Sequence, residues 1–212
     1  MLRLPRLYAI IDTLLVPPGS AVAVTEALLR AGVRLLQYRH KGPFLRRHWE
    51  ECRRAAQVAR EAGAIFLVND RADMALLAGA DGVHLGQQDL PPEAARRLLG
   101  ELKLVGFSTH SEAQARRSQD LPVDYLAIGP VFPTTTKENP DPVVGLEGIA
   151  ATRRVTDRPL VAIGGITRQN ARQALAAGAD AVAVAGDLLG ARDIEACARE
   201  FLLLTQHWPN QR

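Results

Sequence analysis

What this sequence lacks narrows it before any motif is read. Its two cysteines, Cys52 and Cys197, both fall in helix-like segments without metal-ligand spacing. That excludes a disulfide-stapled secreted scaffold or a zinc module and predicts a reducing, cytoplasmic setting. No apolar run approaches the ~18 residues of a membrane span, and MLRLPRLYAIID lacks a signal-like apolar stretch, so a soluble chain with no membrane partner is expected. Aromatic residues make up 5% and never interleave with a basic block. A net charge of +3 therefore predicts no nucleic-acid partner, but a positive local field for an anionic small molecule. Lysine is scarce, at Lys41, Lys103 and Lys137, so a lysine near a strand end stands out.

What is present is a repeat of short apolar runs and helix-like segments. Hydrophobic residues are 47% of 212, enough for one core that buries about 70% of the unfolded surface. Strands are expected at Leu7–Asp12, Leu35–Arg39, Ile65–Val68, Val83–Leu85, Leu104–Thr109, Tyr125–Gly129, Leu160–Ile163 and Ala181–Ala185. Eight helices alternate with them; Ser20 and Thr167 read as N-caps, and Pro91-Pro92-Glu93 opens the fourth. Near-continuous apolar strands mean a parallel sheet covered on both faces. The turn AGAD occurs twice, at Ala78–Asp81 and Ala177–Asp180, and hints at a modular repeat. Eight units predict an α/β fold, one (β/α)8 TIM barrel over residues 1–212; an open doubly wound sheet is the other arrangement they allow.

In such a barrel the chemistry sits where strands end. Those ends read Gln37-Tyr38-Arg39-His40-Lys41, Asn69-Asp70, Asp89, Ser108-Thr109-His110, Thr134-Thr135-Thr136-Lys137, Gly164-Gly165 and Ala185-Gly186, whereas the opposite rim reads mostly Gly, Ala and Pro. Gln37, Arg39 and Lys41 alternate, which puts all three on one side of a strand, a set suited to a phosphate or diphosphate. Asp70 and Asp89 close neighbouring strands and together suit Mg²⁺, although Asp70 could equally cap a helix and Asp89 pair with an arginine. The loop Pro130–Gly145 is too long and polar for a connector and reads as a lid. Gly164-Gly165 with the end of strand eight fit a barrel phosphate site. His84 reads as a hydrogen-bonded interior residue, and His110 as either structural or acid–base.

The segments YAIID, QYRHK, VNDRADMAL, GADGVHLGQQDLP, GFSTH, GPVFPTTTK and VAIGGI, in this order and spacing, resemble the thiamine phosphate synthase family from about Leu7 to Leu188. The resemblance implies a transferase of thiamine biosynthesis, monomeric or a small homo-oligomer, that joins 4-amino-2-methyl-5-(diphosphooxymethyl)pyrimidine to a thiazole phosphate and releases diphosphate with Mg²⁺. By motif, Gln37, Arg39, Lys41, Asn69, Ser108 and Lys137 would hold the pyrimidine diphosphate, with Tyr38 and His40 of the same block also expected to bind substrate. Of these, Arg39, Lys41, Ser108 and Lys137 would assist its departure. Asp70 and Asp89 would ligate the metal, and Thr134, Thr135, Thr136, Gly165, Ala185 and Gly186 would hold the thiazole phosphate. Gly186 stands where the family usually has serine, and Asp187 puts a negative charge beside that phosphate. Three alternatives stay open: a thiazole tautomerase with His110 as acid–base, a sugar-phosphate isomerase, and a non-catalytic barrel that binds a phosphorylated ligand.

Overall fold

The computed structural model describes residues 2–206 except 135 and 137–140. Eight parallel strands close into a barrel in sequence order: β1 (Leu7–Asp12), β2 (Leu35–Arg39), β3 (Ile65–Asn69), β4 (Gly82–Leu85), β5 (Leu104–Thr109), β6 (Tyr125–Ile128), β7 (Leu160–Ile163) and β8 (Ala181–Val184). The ring is sealed by β1 against β8, with Leu7 beside Val182 and Ala9 beside Val184.

Alternation along each strand sorts the side chains into two cores. Tyr8, Ile10, Leu35, Leu67, Tyr125, Ala127, Val161, Ala181 and Ala183 fill the barrel interior. Their neighbours, among them Ile11, Leu36, Tyr38, Phe66 and Val83, face the helix layer. This period of two also fixes which polar residues reach the mouth.

The helices are α1 (Ala21–Ala31), α2 (Arg46–Glu61), α3 (Ala72–Ala78), α4 (Pro92–Leu99), α5 (Glu112–Arg117), α6 (Gly145–Arg153), α7 (Ala171–Ala176), α8 (Gly186–Leu189) and α9 (Ile194–Gln206). α8 is not among the eight helices expected: one turn is too short to leave a period in the sequence. Two expected caps are corrected. Ser20 precedes α1, but its hydroxyl donates to Pro17 O, and the Ala21 N–H is taken by Glu51. Thr167 does not open α7, which starts four residues later, after a turn in which Asn170 accepts from Thr167 N–H.

The rim where helices hand over to strands is also less bland than the sequence reading has it. Asp81, Asp124 and Asp180, each just before an even-numbered strand, accept the N–H of Phe66, Val105 and Leu160 at 2.8, 2.7 and 2.8 Å. Arg96 and Arg153 neutralise Asp124 and Asp180 at 2.7 and 2.9 Å. These clamps tie adjacent strands together at the end opposite the site.

Candidate active site

The mouth is built from the last inward-facing residue of each strand and the first residues beyond it. On β1 and β2 these are Asp12 and Arg39, in register and paired as an ion pair. Asp12 is fully buried and also accepts Leu14 N–H. One strand-end carboxylate carries no motif in the sequence; the pairing of Asp12 with Arg39 exists only where β1 and β2 lie side by side. Beyond β2, Lys41 donates to Asp70 at 2.6 Å.

Asp70 follows β3 and is the one non-glycine among the described residues with positive φ, at 63°. Its N–H is held by His84 O, which fixes the strained turn next to β4. The helix α3 starts after Arg71 with no side-chain cap, so Asp70 is not a helix cap. Asp89 folds back so that its Oδ2 accepts Gly86 N–H at 2.6 Å, and its carboxyl lies against that of Asp70. Burial first, then the hydrogen bond with Asp89, raises the Asp70 carboxyl from 3.8 to about 6, against the opposing pull of Lys41.

Two cations, Arg39 and Lys41, thus face three carboxylates, Asp12, Asp70 and Asp89. Lys137, the third cation expected at this rim, lies outside the described residues. Among the described residues the carboxylates outnumber the cations by one, and adjacent acidic groups of this kind suit a hard divalent cation whose remaining ligands are water and phosphate oxygens. No group of three or more His, Cys, Asp or Glu able to hold a metal occurs among the described residues. Two carboxylates meet the requirement of an ion held partly by its substrate.

Next to this pair, Asn69 is buried, and its Nδ2 is one of two buried side-chain polar atoms without a partner among the described residues. A buried amide of that kind is a group waiting for an acceptor. Ser108, on β5, meets Nε2 of His84 at 2.9 Å. His84 lies inside the barrel, as expected, and its burial lowers it to about 4, so the ring is neutral. Gln37 sits inside as well, donating to Tyr8 at 2.6 Å.

Two residues expected in the site face elsewhere. Tyr38 points into the helix layer and donates to Glu51 at 2.9 Å. His40 turns out to Thr13 and Pro43 and stacks on His48 with centroids 3.8 Å apart. Both are even-numbered neighbours of Gln37, Arg39 and Lys41, so the pleat turns them away from the mouth. Only their backbone can serve a ligand there.

Across the mouth, the lid loop leaves β6 and packs on the end of β7. Val131 and Phe132 N–H donate to Ile163 and Gly164 O at 2.9 and 3.0 Å. A Cβ on Gly165, at φ +65°, would lie 2.4 Å from Pro133 O, so this glycine is required by the loop that crosses it and not only by a ligand. Thr134 and Thr136 stand on that loop, with hydroxyls 3.4 Å apart. Among the described residues, a Cβ on Gly186 would meet only Thr136 Oγ1, at 3.6 Å. Asp187 is turned aside, because Arg168 donates to it from its backbone N and from Nε, at 2.9 and 3.1 Å. Its charge is answered by an arginine and not aimed at a phosphate. Thr135 and Lys137 lie outside the described residues.

His110 is occupied. Its Nδ1 lies 2.6 Å from Gly129 O and its Nε2 3.5 Å from Asp141, so it staples both ends of the lid loop to β5.

A family model described as "Thiamine monophosphate synthase" matches residues 7–188. A protein named thiamine-phosphate synthase from Koribacter versatilis is 49% identical over 195 residues, covering 89% of this chain and 90% of its own. The solved structure of thiamine phosphate pyrophosphorylase from Pyrococcus furiosus superposes with a TM-score of 0.85 at 35% identity, covering 95% of each chain. At 17% identity, the 3-hexulose-6-phosphate synthase of Salmonella typhimurium (TM-score 0.70, covering 96% of this chain and 100% of that one) shares the barrel fold alone.

Proposed function

This chain belongs to the thiamine monophosphate synthase family and is a transferase that forms thiamine phosphate, and from that premise we propose how its barrel mouth does so. The substrates are 4-amino-2-methyl-5-(diphosphooxymethyl)pyrimidine and a thiazole phosphate. The bond from the pyrimidine methylene carbon to the diphosphate oxygen breaks, its electron pair leaving with the diphosphate. The nitrogen lone pair of the thiazole then forms the new C–N bond at the exposed carbon.

Arg39 and Lys41 bind the diphosphate oxygens, with Lys137 reaching them from the lid loop. Asn69 and Ser108 hydrogen-bond the pyrimidine diphosphate, and Gln37 orients the ring side from within the barrel. Thr134, Thr135, Thr136, Gly165, Ala185 and Gly186 receive the thiazole phosphate. Asp70 and Asp89 are the residues that would hold Mg²⁺. The chemistry supplied by that ion is neutralisation of the leaving diphosphate, which electrostatic preorganisation makes the largest lever here. No group in this scheme has to move a proton, which agrees with a neutral His84 and an engaged His110.

The observation that carries the proposal is the rim itself: the Asp70 and Asp89 carboxyls side by side next to Arg39 and Lys41, with the buried Asn69 Nδ2 lacking a partner among the described residues. The tautomerase alternative loses support, because His110 is held by Gly129 and Asp141 and an isomerase has no use for the carboxylate pair. Multiple-turnover assay of the two substrates decides. Stoichiometric diphosphate and thiamine phosphate are expected; isomerisation of the thiazole without diphosphate release would refute the scheme.

A further inference from the structure

Inside the barrel, five side chains from five strands form one unbroken row of hydrogen bonds. Ser108 Oγ lies 2.9 Å from His84 Nε2, and His84 Nδ1 lies 2.8 Å from the Tyr125 hydroxyl. The Tyr125 hydroxyl lies 3.1 Å from that of Tyr8, which accepts from Gln37 Nε2 at 2.6 Å. Tyr8 and Tyr125 are fully enclosed, and no role given above uses them.

Each hydroxyl owns one hydrogen and the neutral imidazole owns one, so the direction of a single bond sets all the others. Gln37 presents its nitrogen to Tyr8, and an amide nitrogen only donates. Tyr8 must then give its hydrogen to Tyr125, and Tyr125 must give its own to Nδ1 of His84. The ring carries its proton on Nε2 and donates it to Ser108 Oγ. What is left over is the Ser108 hydrogen, free for an acceptor in the mouth. Had Gln37 presented its oxygen, every bond would reverse and Ser108 would spend that hydrogen on His84.

We propose that Tyr8, Tyr125 and His84 are positioning residues that, with the Gln37 amide setting their direction, make Ser108 a hydrogen-bond donor to the pyrimidine diphosphate. The identity of the acceptor rests on the transferase reading above; the direction of the row does not.

The test is nitrogen NMR of the full chain with isotope-labelled histidine, at neutral pH and without substrate. His84 is expected with protonated Nε2 and bare Nδ1; a protonated Nδ1 overturns the proposal, whatever the assay of activity gives. This spectrum needs no variant, so it decides even where a variant does not fold. Gln37→Glu, which can only accept from Tyr8, should move the proton to Nδ1 and lower kcat about 100-fold, the loss expected for one donor to developing charge. Adding Tyr8→Phe to that variant cuts the row, and should return the proton to Nε2 and recover about tenfold of the lost kcat. A proton that stays on Nε2 in Gln37→Glu, or a double variant no faster than the single one, also overturns it.

Discussion

Asp70 illustrates how a single residue can be held in a state that folding resists. It sits at positive φ, half-buried against the Asp89 carboxyl, with its own carboxyl raised from 3.8 to about 6. Because folding raises this group, the folded chain binds more protons than the unfolded one between about pH 4 and 6. Its contribution to stability is therefore greatest below about pH 4 and is lost as pH rises through 6. Asn adopts positive φ readily and carries no charge. In the absence of metal, Asp70→Asn should be more stable than the parent by about 1–3 kcal/mol at pH 7, a gap that closes near pH 4. Urea melts at the two pH values measure this; a variant less stable at pH 7 would contradict the strain ascribed to the carboxylate pair. The same variant should lose more than about 100-fold in turnover, beyond the usual effect of disturbing a metal's outer shell.

Gly186 offers the opposite case, a position with room to spare. Among the described residues a Cβ there meets only Thr136 Oγ1 at 3.6 Å, so Gly186→Ser displaces none of them and adds a hydroxyl on the side proposed for the thiazole phosphate. We expect the KM for thiazole phosphate to fall severalfold with kcat within about twofold, since one hydrogen bond to a charged group is worth ~1.5–3 kcal/mol at most. An unchanged or raised KM would place the phosphate elsewhere.

At the scale of elements, the barrel separates what stabilises from what reacts. The three strand-start carboxylates Asp81, Asp124 and Asp180 stitch β3, β5 and β7 to the chain that follows, far from the mouth. Asp180→Ala strips the Leu160 N–H of its acceptor and leaves Arg153 without that carboxylate partner, so a loss of about 2–3 kcal/mol is expected, with kcat unchanged. Chemical denaturation together with a steady-state assay checks both halves. Gly165→Ala has the reverse signature: its Cβ drives at Pro133 O, so the loop must shift and kcat should fall along with stability.

These elements differ in how far they were legible. The AGAD repeat pointed to two of the three clamps, but a four-residue echo says nothing of hydrogen bonds, and Asp124 follows Pro-Val instead. The α8 turn left no period to find. Ser20 failed as a cap because the Glu51 side chain takes the Ala21 N–H, a tertiary override that no local rule contains, and Thr167 failed because a local turn closed by Asn170 delays the start of α7 to Ala171.

For the whole molecule, the eight apolar runs were enough to predict the closed barrel, since parallel strands covered on both faces have few other arrangements. Parity along β2 was legible too, and it brought Gln37 and Arg39 inward. Taking QYRHK as one block was the error, for the same parity turns Tyr38 and His40 outward. Asp12 was not legible as part of the rim for a related reason: it joins it only through the pairing of β1 with β2.

That rim leads to the central claim: we propose that, with Asp70 and Asp89 beside Arg39 and Lys41, the mouth accepts a diphosphate together with a divalent cation. Titration calorimetry of the pyrimidine diphosphate into the protein, with Mg²⁺ and with EDTA, tests it directly. The account predicts binding with Mg²⁺ and affinity at least ~100-fold weaker in EDTA, the loss expected when like charges meet without a counterion. Equal affinity under the two conditions would contradict it.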